Sequence, residues 1–160
     1  MTPNRKAFLD TLAVSEGTST SHATRMNGYD VIVTGVDGKD EVFTDFTTHP
    51  FAKGRVSKVI NSKGLTSNAS GRYQFMLRDW AHYRNQLHLE DFGPDAQDCW
   101  ALQLIKERGA LALIDAGRFK EAVNLCRNLW ASLPGAGYAQ HENSMEKLTI
   151  AYVQAGGTLA

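Results

Sequence analysis

The longest stretch of strand chemistry in this chain is "YDVIVTGVDGKDEVFTDF" at 29–46, with helical periodicity before it and again from residue 77 onward. Two runs rich in β-branched and aromatic residues, 29–34 and 41–46, flank a turn containing Asp37 and Gly38, the pattern of a β-hairpin. Upstream, Thr2 and Pro3 suit an N-cap and first helical position, and Phe8, Leu9, Leu12 and Ala13 recur at helical spacing until Gly17 supplies a stop. Downstream, Leu77, Trp80, Ala81 and Leu87 outline one helix and "GPDAQDCWALQLIKERG" another, ending at Gly109. A short helix over 110–116 closes at Gly117, "FKEAVNLCRNLWASL" forms the next until "PGAG" at 134–137, and the last is expected from about Gln140 to Ala155. This order describes an α+β chain, a small hairpin lobe inserted between a first helix and a helical bundle. Two lobes imply a cleft between them.

Between hairpin and bundle, residues 47–70 are rich in Ser, Lys, Gly, Asn and Thr, with a short strand candidate at "RVSKVI". That composition predicts a mobile surface loop at the lip of the cleft. "SGRYQFM" at 70–76 reads as a strand or as a turn into the next helix.

The 160 residues fit one domain, 1–160, large enough to bury a core without disulfide or metal staples. Hydrophobic residues at 42% and charged ones at 21% match ordinary globular usage and argue against disorder or a coiled coil. Seventeen basic residues cancel seventeen acidic ones, so there is no overall field to recruit nucleic acid or an acidic membrane surface. The N-terminus carries Arg5, Lys6 and Asp10 and lacks the apolar stretch and cleavage site of a secretory signal. The chain is therefore expected in the cytoplasm, and no apolar run reaches the roughly 20 residues of a spanning helix. Cys99 and Cys126 fall in helical patterns, where two buried thiols are expected in preference to a bridge. The sequon "NAS" at 68–70 has no secretory context.

The candidate chemistry begins with Glu16. Phe8, Leu12 and Glu16 lie four apart and drift by only about 40° per step around a helix, so Glu16 continues the apolar face. Partial desolvation and the negative end of the helix dipole both favour its protonated form, as a general acid requires. The alternative is a side chain that pivots into solvent at a frayed end. "GRYQF" at 71–75 offers Arg, Tyr and Gln beside a glycine, able to stack on and hydrogen-bond a sugar or peptide. Strand alternation would put Tyr73 and Gln74 on opposite faces, making one of them core. "ASLPGAGYAQ" leaves Tyr138 near a surface.

Other patterns are weaker. "SMEK" at 144–147 matches S-x-x-K, but no S-D-N or K-T-G accompanies it. The five histidines are scattered without H-E-x-x-H, the cysteines lack zinc-ligand partners, and no phosphate-binding glycine loop occurs, so no metal or cofactor is expected.

Six blocks carry a resemblance. "RKAFLDTLAVSEGT" at 5–18, "NGYDVIV" at 27–33, "FTDF" at 43–46, "GRYQF" at 71–75, "LQLIKERGAL" at 102–111 and "NLWASLPGAGYAQ" at 128–140 resemble, in order, the phage lambda endolysin family. The match lapses at 34–42 and through 51–69. The resemblance implies a lysozyme-like α+β fold and a peptidoglycan lytic transglycosylase, which cleaves between N-acetylmuramic acid and N-acetylglucosamine and leaves a 1,6-anhydro end. It places Glu16 at the catalytic glutamate, with Gln74, in a "GRYQ" similar to the Gly-x-x-Gln element of other lytic transglycosylases, as a donor to the substrate. Tyr73 and Tyr138 are expected to line the groove, and Asp30 to bind substrate or position local structure. The partners it implies are glycan strands, reached by a monomer with no stable membrane association after release through a holin lesion. A hydrolytic muramidase and a non-catalytic glycan-binding module are the alternatives.

Overall fold

The computed structural model describes residues 1–138 and 141–160. Its elements run α1 (Pro3–Ser15), β1 (Val31–Ile32), β2 (Glu41–Val42), β3 (Lys58–Val59), β4 (Thr66–Ser67), α2 (Leu77–Leu87), α3 (Pro94–Glu107), α4 (Leu111–Asp115), α5 (Phe119–Cys126) and α6 (Met145–Gln154). The chain is α+β with the bulk in helices. It separates into two compact units, one of Met1–Glu16 with Ala101–Ala160, the other of Gly17–Trp100.

In the first unit, α1 begins as its sequence predicts. The Thr2 hydroxyl caps it by accepting from the Arg5 amide, and Pro3 opens the first turn. Its buried stripe, which includes Phe8 and Leu12, packs on α4 and α6. Phe8 meets Phe119 edge-on at 5.8 Å, and Phe119 stacks on Tyr152 at 4.4 Å. Asn4 ties both ends of the unit together, donating to the Ile114 carbonyl at 3.0 Å and accepting from the Thr158 amide at 2.9 Å. A buried amide with both ends satisfied costs little and specifies register.

The second unit holds both hairpins. β1 and β2 are antiparallel, Val31 opposite Val42, so the first hairpin is present though shorter than its sequence predicts. β3 and β4 form another, Lys58 opposite Ser67, inside the stretch expected to be a mobile loop. The Asn61 side chain builds its turn by accepting from the Lys63 and Leu65 amides, at 2.9 and 3.0 Å. An aromatic cluster forms the core: Phe75 stacks on Trp100 at 3.9 Å, and Phe92 packs against Phe43, His49 and Trp80.

Two helices differ from expectation. α5 ends at Cys126, and the following amides of Leu129 and Leu133 bond three residues back, in turns. Cys126, Trp130 and Leu133 are each buried at helical spacing without a helix between them. α6 starts at Met145, capped by the Ser144 hydroxyl on the Lys147 amide; the expected start at Gln140 lies outside the described residues. Cys99 is exposed, which corrects the expectation of two buried thiols, and both cysteines are free.

Candidate active site

Glu16 is the C-cap of α1, with φ −76° and ψ −9°, and its amide donates to the Leu12 carbonyl at 2.8 Å. Gly17 then takes φ +76°, a conformation open to glycine at no steric cost, and ends the helix. The Glu16 side chain is partly buried rather than turned out to water. Burial pushes its pKa from 4.5 to about 7, and a hydrogen bond with Ser132 opposes that rise. Near neutral pH the acid and the carboxylate are then both populated, the condition under which one group both gives and takes a proton.

Ser15, the residue before it, joins a network of polar side chains within the same unit. The Ser15 and Ser132 hydroxyls lie 2.8 Å apart, and both residues are buried. The buried Asn143 donates to the Ser15 carbonyl at 2.9 Å and to the Ser15 hydroxyl at 3.2 Å. Glu142, next in the chain, accepts from the amides of Gly135 and Gly137, both at 2.9 Å, and so folds the glycine loop that carries Tyr138. Those two bonds hold its carboxylate below the usual range. Tyr138 is 51% exposed, its hydroxyl donating to the Asn128 carbonyl at 3.0 Å, so its ring is open to a ligand.

The remaining candidates belong to the second unit. Asp30 is 3% exposed, and both of its carboxylate oxygens are engaged, by the Thr24 hydroxyl and by the Arg25 amide at 3.0 Å. Of its two expected roles, this geometry matches local positioning. Tyr73 is fully buried at 0% exposure, which corrects its expected place in the groove. Its hydroxyl donates to Asp98 at 2.6 Å, Tyr29 donates to the same oxygen at 2.8 Å, and the Arg72 guanidinium lies 5.1 and 5.7 Å from the two ring centroids. Burial in this cluster pushes the Tyr29 hydroxyl up to about 12 and the Tyr73 hydroxyl higher still.

Gln74 is partly buried and sits at φ +54°, in the left-handed region that non-glycine residues enter rarely. Its side-chain amide donates to the Gly71 carbonyl at 3.0 Å, and the turn that places it depends on a close approach at Gly71. A Cβ there would run into the Gln97 side chain, which accepts from the Arg72 amide at 2.8 Å and donates to the carbonyls of Tyr29 and Phe92 at 3.0 and 2.9 Å. Among the described residues no cluster of His, Cys, Asp and Glu has the form of a metal site. His49 is buried, with Nε2 on the Phe75 carbonyl and Nδ1 accepting from the Phe51 amide, an arrangement that fits the neutral ring favoured by its burial-lowered pKa.

The model of a family described as Endolysin matches residues 6–159. The chain belongs to the endolysin family. The endolysin of Escherichia phage P2 is 59% identical over 157 residues, covering 98% of this chain and 95% of that one. The endolysin of Escherichia phage lambda is 51% identical over 156 residues, covering 97% and 92%. A solved structure of bacteriophage lambda lysozyme complexed with a chitohexasaccharide superposes with a TM-score of 0.90 at 50% identity, covering 100% of this chain and 98% of that one. Within this endolysin chain, Glu16 and Tyr138 fall in one unit and Asp30, Tyr73 and Gln74 in the other. Sequence reasoning missed Ser132, Asn143 and Asp98. Ser132 and Asn143 approach Ser15 across 117 and 128 residues of chain, and no local spacing announces such a meeting.

Proposed function

We propose that this endolysin cleaves the β-1,4 bond between N-acetylmuramic acid and N-acetylglucosamine in host peptidoglycan by lytic transglycosylation, with Glu16 as the single acid and base. The observation that carries this reading is the partly buried Glu16 at the end of α1, with its pKa near 7. In the first half of the reaction the Glu16 proton moves to the glycosidic oxygen as the bond from that oxygen to C1 of the muramoyl residue breaks. In the second half the C6 hydroxyl of the same residue bonds to C1 and its proton returns to Glu16. The acid is regenerated and no water is consumed.

One carboxyl suffices because the nucleophile is already held in the substrate, with the advantage of an intramolecular reaction. A hydrolytic lysozyme divides these tasks between two carboxylates. Here the commitment of Asp30 to Thr24 and Arg25 supports one acid rather than two. Gln74 and the exposed ring of Tyr138 are the proposed contacts to the glycan, and Asp30 and Tyr73 position local structure. The chitohexasaccharide bound by lambda lysozyme supports a glycan as the ligand. Acting as a monomer on the wall after holin-dependent release completes the reading; among the described residues no helix is long and apolar enough to cross a membrane.

Mass spectrometry of digested cell walls tests the product. Anhydro-muramoyl ends are expected, and reducing muramic acid ends would instead mark a hydrolase. Glu16→Gln is expected to lower turnover by about 10²–10⁴-fold, the usual contribution of a general acid. Unreduced turnover in that variant would remove Glu16 from the chemistry.

A further inference from the structure

We propose that Glu142 is a positioning residue for glycan binding, its carboxylate clamping the glycine loop that presents Tyr138; this rests on reading Tyr138 as a contact to the glycan. Gly135 and Gly137 take φ +77° and +78°, and two glycines give the loop more backbone freedom to lose on ordering than other residues would. Some group has to hold it if Tyr138 is to meet a ligand in one place. The Glu142 carboxylate does so with both oxygens, Oε1 accepting from the Gly135 amide and Oε2 from the Gly137 amide, each at 2.9 Å. Hydrogen bonds to a charged acceptor are the stronger kind, and backbone amides that converge on one carboxylate form an anion cradle.

Tyr138 follows Gly137 directly, so its backbone is held one residue from the clamp. Its hydroxyl is held at the other end, donating to the Asn128 carbonyl at 3.0 Å. The phenol is committed at its tip while the ring stays 51% exposed, and what it offers a sugar is an apolar face already set in orientation. A face ordered before binding loses less freedom when the glycan arrives.

The base of the clamp is anchored in the core of its unit. Asn143, the next residue, is buried; its backbone amide donates to the Ser132 carbonyl at 2.8 Å and its side-chain amide to the Ser15 carbonyl at 2.9 Å. Lys147, which has only protons to give, donates to Asn143 Oδ1 at 2.9 Å and so fixes Nδ2 as the atom facing Ser15. The Ser15 carbonyl belongs to the peptide bond that leads into Glu16. Two consecutive residues of one unit therefore grip two elements: Glu142 holds the loop that carries Tyr138, and Asn143 holds the end of α1 that carries Glu16. Removing the Glu142 carboxylate loosens the first and leaves the second in place.

Calorimetric titration of the full chain with chitohexasaccharide, together with kcat and KM on purified walls, tests this. Glu142→Ala is expected to weaken chitohexasaccharide binding by about three- to tenfold, the size of ordering one side chain at an interface, and to raise KM without lowering kcat. Glu142→Gln, which keeps one acceptor oxygen and loses the charge, is expected to fall between. Tyr138→Ala should weaken binding at least as much as Glu142→Ala, and combining the two should weaken it no further, since a clamp acts only through what it holds. A glutamate that merely stabilises the fold would lower the Tm and leave the affinity where it was. Unchanged affinity in Glu142→Ala overturns the proposal, and so do additive losses in the double variant, which would make Glu142 a contact in its own right. Unchanged affinity in Tyr138→Ala overturns the proposal together with the contact it rests on, whereas an effect of Tyr138→Ala without one of Glu142→Ala overturns the proposal alone. Binding is measured apart from turnover, so reducing ends in a wall digest would revise the reaction and leave this test standing.

Discussion

Glu16 is where the residue scale and the stability of the protein meet. In the folded chain its carboxyl keeps a proton up to about pH 7, while in the unfolded chain it releases it near the ordinary value of 4.5. Between these values the native state binds more protons than the unfolded state, so stability falls as pH rises from 4.5 to 7 and then levels. Below 4.5 both states are protonated and the group costs nothing. Glu16→Gln, uncharged at every pH, is therefore expected to be more stable than the parent at pH 8, by up to about 3 kcal/mol, and equal to it at pH 4. Urea midpoints at the two pH values measure the difference, and an equal shift at both would remove the buried charge as its cause. Active sites characteristically lose stability to the groups they work with. The same residue that would transfer the proton is then one whose removal strengthens the fold.

At the scale of elements, α6 separates a capping residue from a chemical one. Ser144 and Lys147 fit a nucleophile pattern by spacing, yet the Ser144 hydroxyl accepts from the Lys147 amide at 3.1 Å and caps the helix. Ser144→Ala should cost about 1 kcal/mol, as cap removal usually does, and leave kcat on purified walls unchanged. Loss of turnover greater than the loss of folded protein would return Ser144 to the list of catalytic candidates. Capping and periodicity are local, which is why α1, α3 and α4 lie close to where their sequences place them, each ended by a glycine or capped by a hydroxyl. The β3–β4 hairpin was only half legible: "RVSKVI" marked its first strand, whereas polar Thr66 and Ser67 form its second and the Asn61 side chain builds its turn. Over 126–133 the opposite occurred, since Cys126, Trp130 and Leu133 are buried at helical spacing although α5 ends at Cys126. The site divides in the same way. Glu16 stood out because a lone acid continued an apolar face, whereas Ser132 and Asn143 meet the neighbouring Ser15 by tertiary folding alone, and Tyr73 lies in the core with its hydroxyl on Asp98.

For the molecule as a whole, charge balance sets how substrate is met. With seventeen basic and seventeen acidic residues, no net field draws the protein to a polymer whose peptides carry carboxylates. The ion pairs reinforce this by neutralising cations where they sit: Arg55 and Lys58 both reach Glu41, at 2.8 and 3.0 Å, and Arg5 reaches Asp115 at 2.6 Å. Recognition is then expected to depend on short-range contacts to the sugars, which salt screens little, rather than on steering across a Debye length of about 10 Å at 0.1 M salt. The rate of solubilisation of purified walls is expected to change by less than about twofold between 0.05 and 0.2 M sodium chloride, whereas displacing several bound counterions would give a steep power-law fall. Turbidity clearance at fixed pH across that range measures it. A steep decline would mean that cations concentrated on one face, and not the glycan contacts, bring the endolysin to the wall.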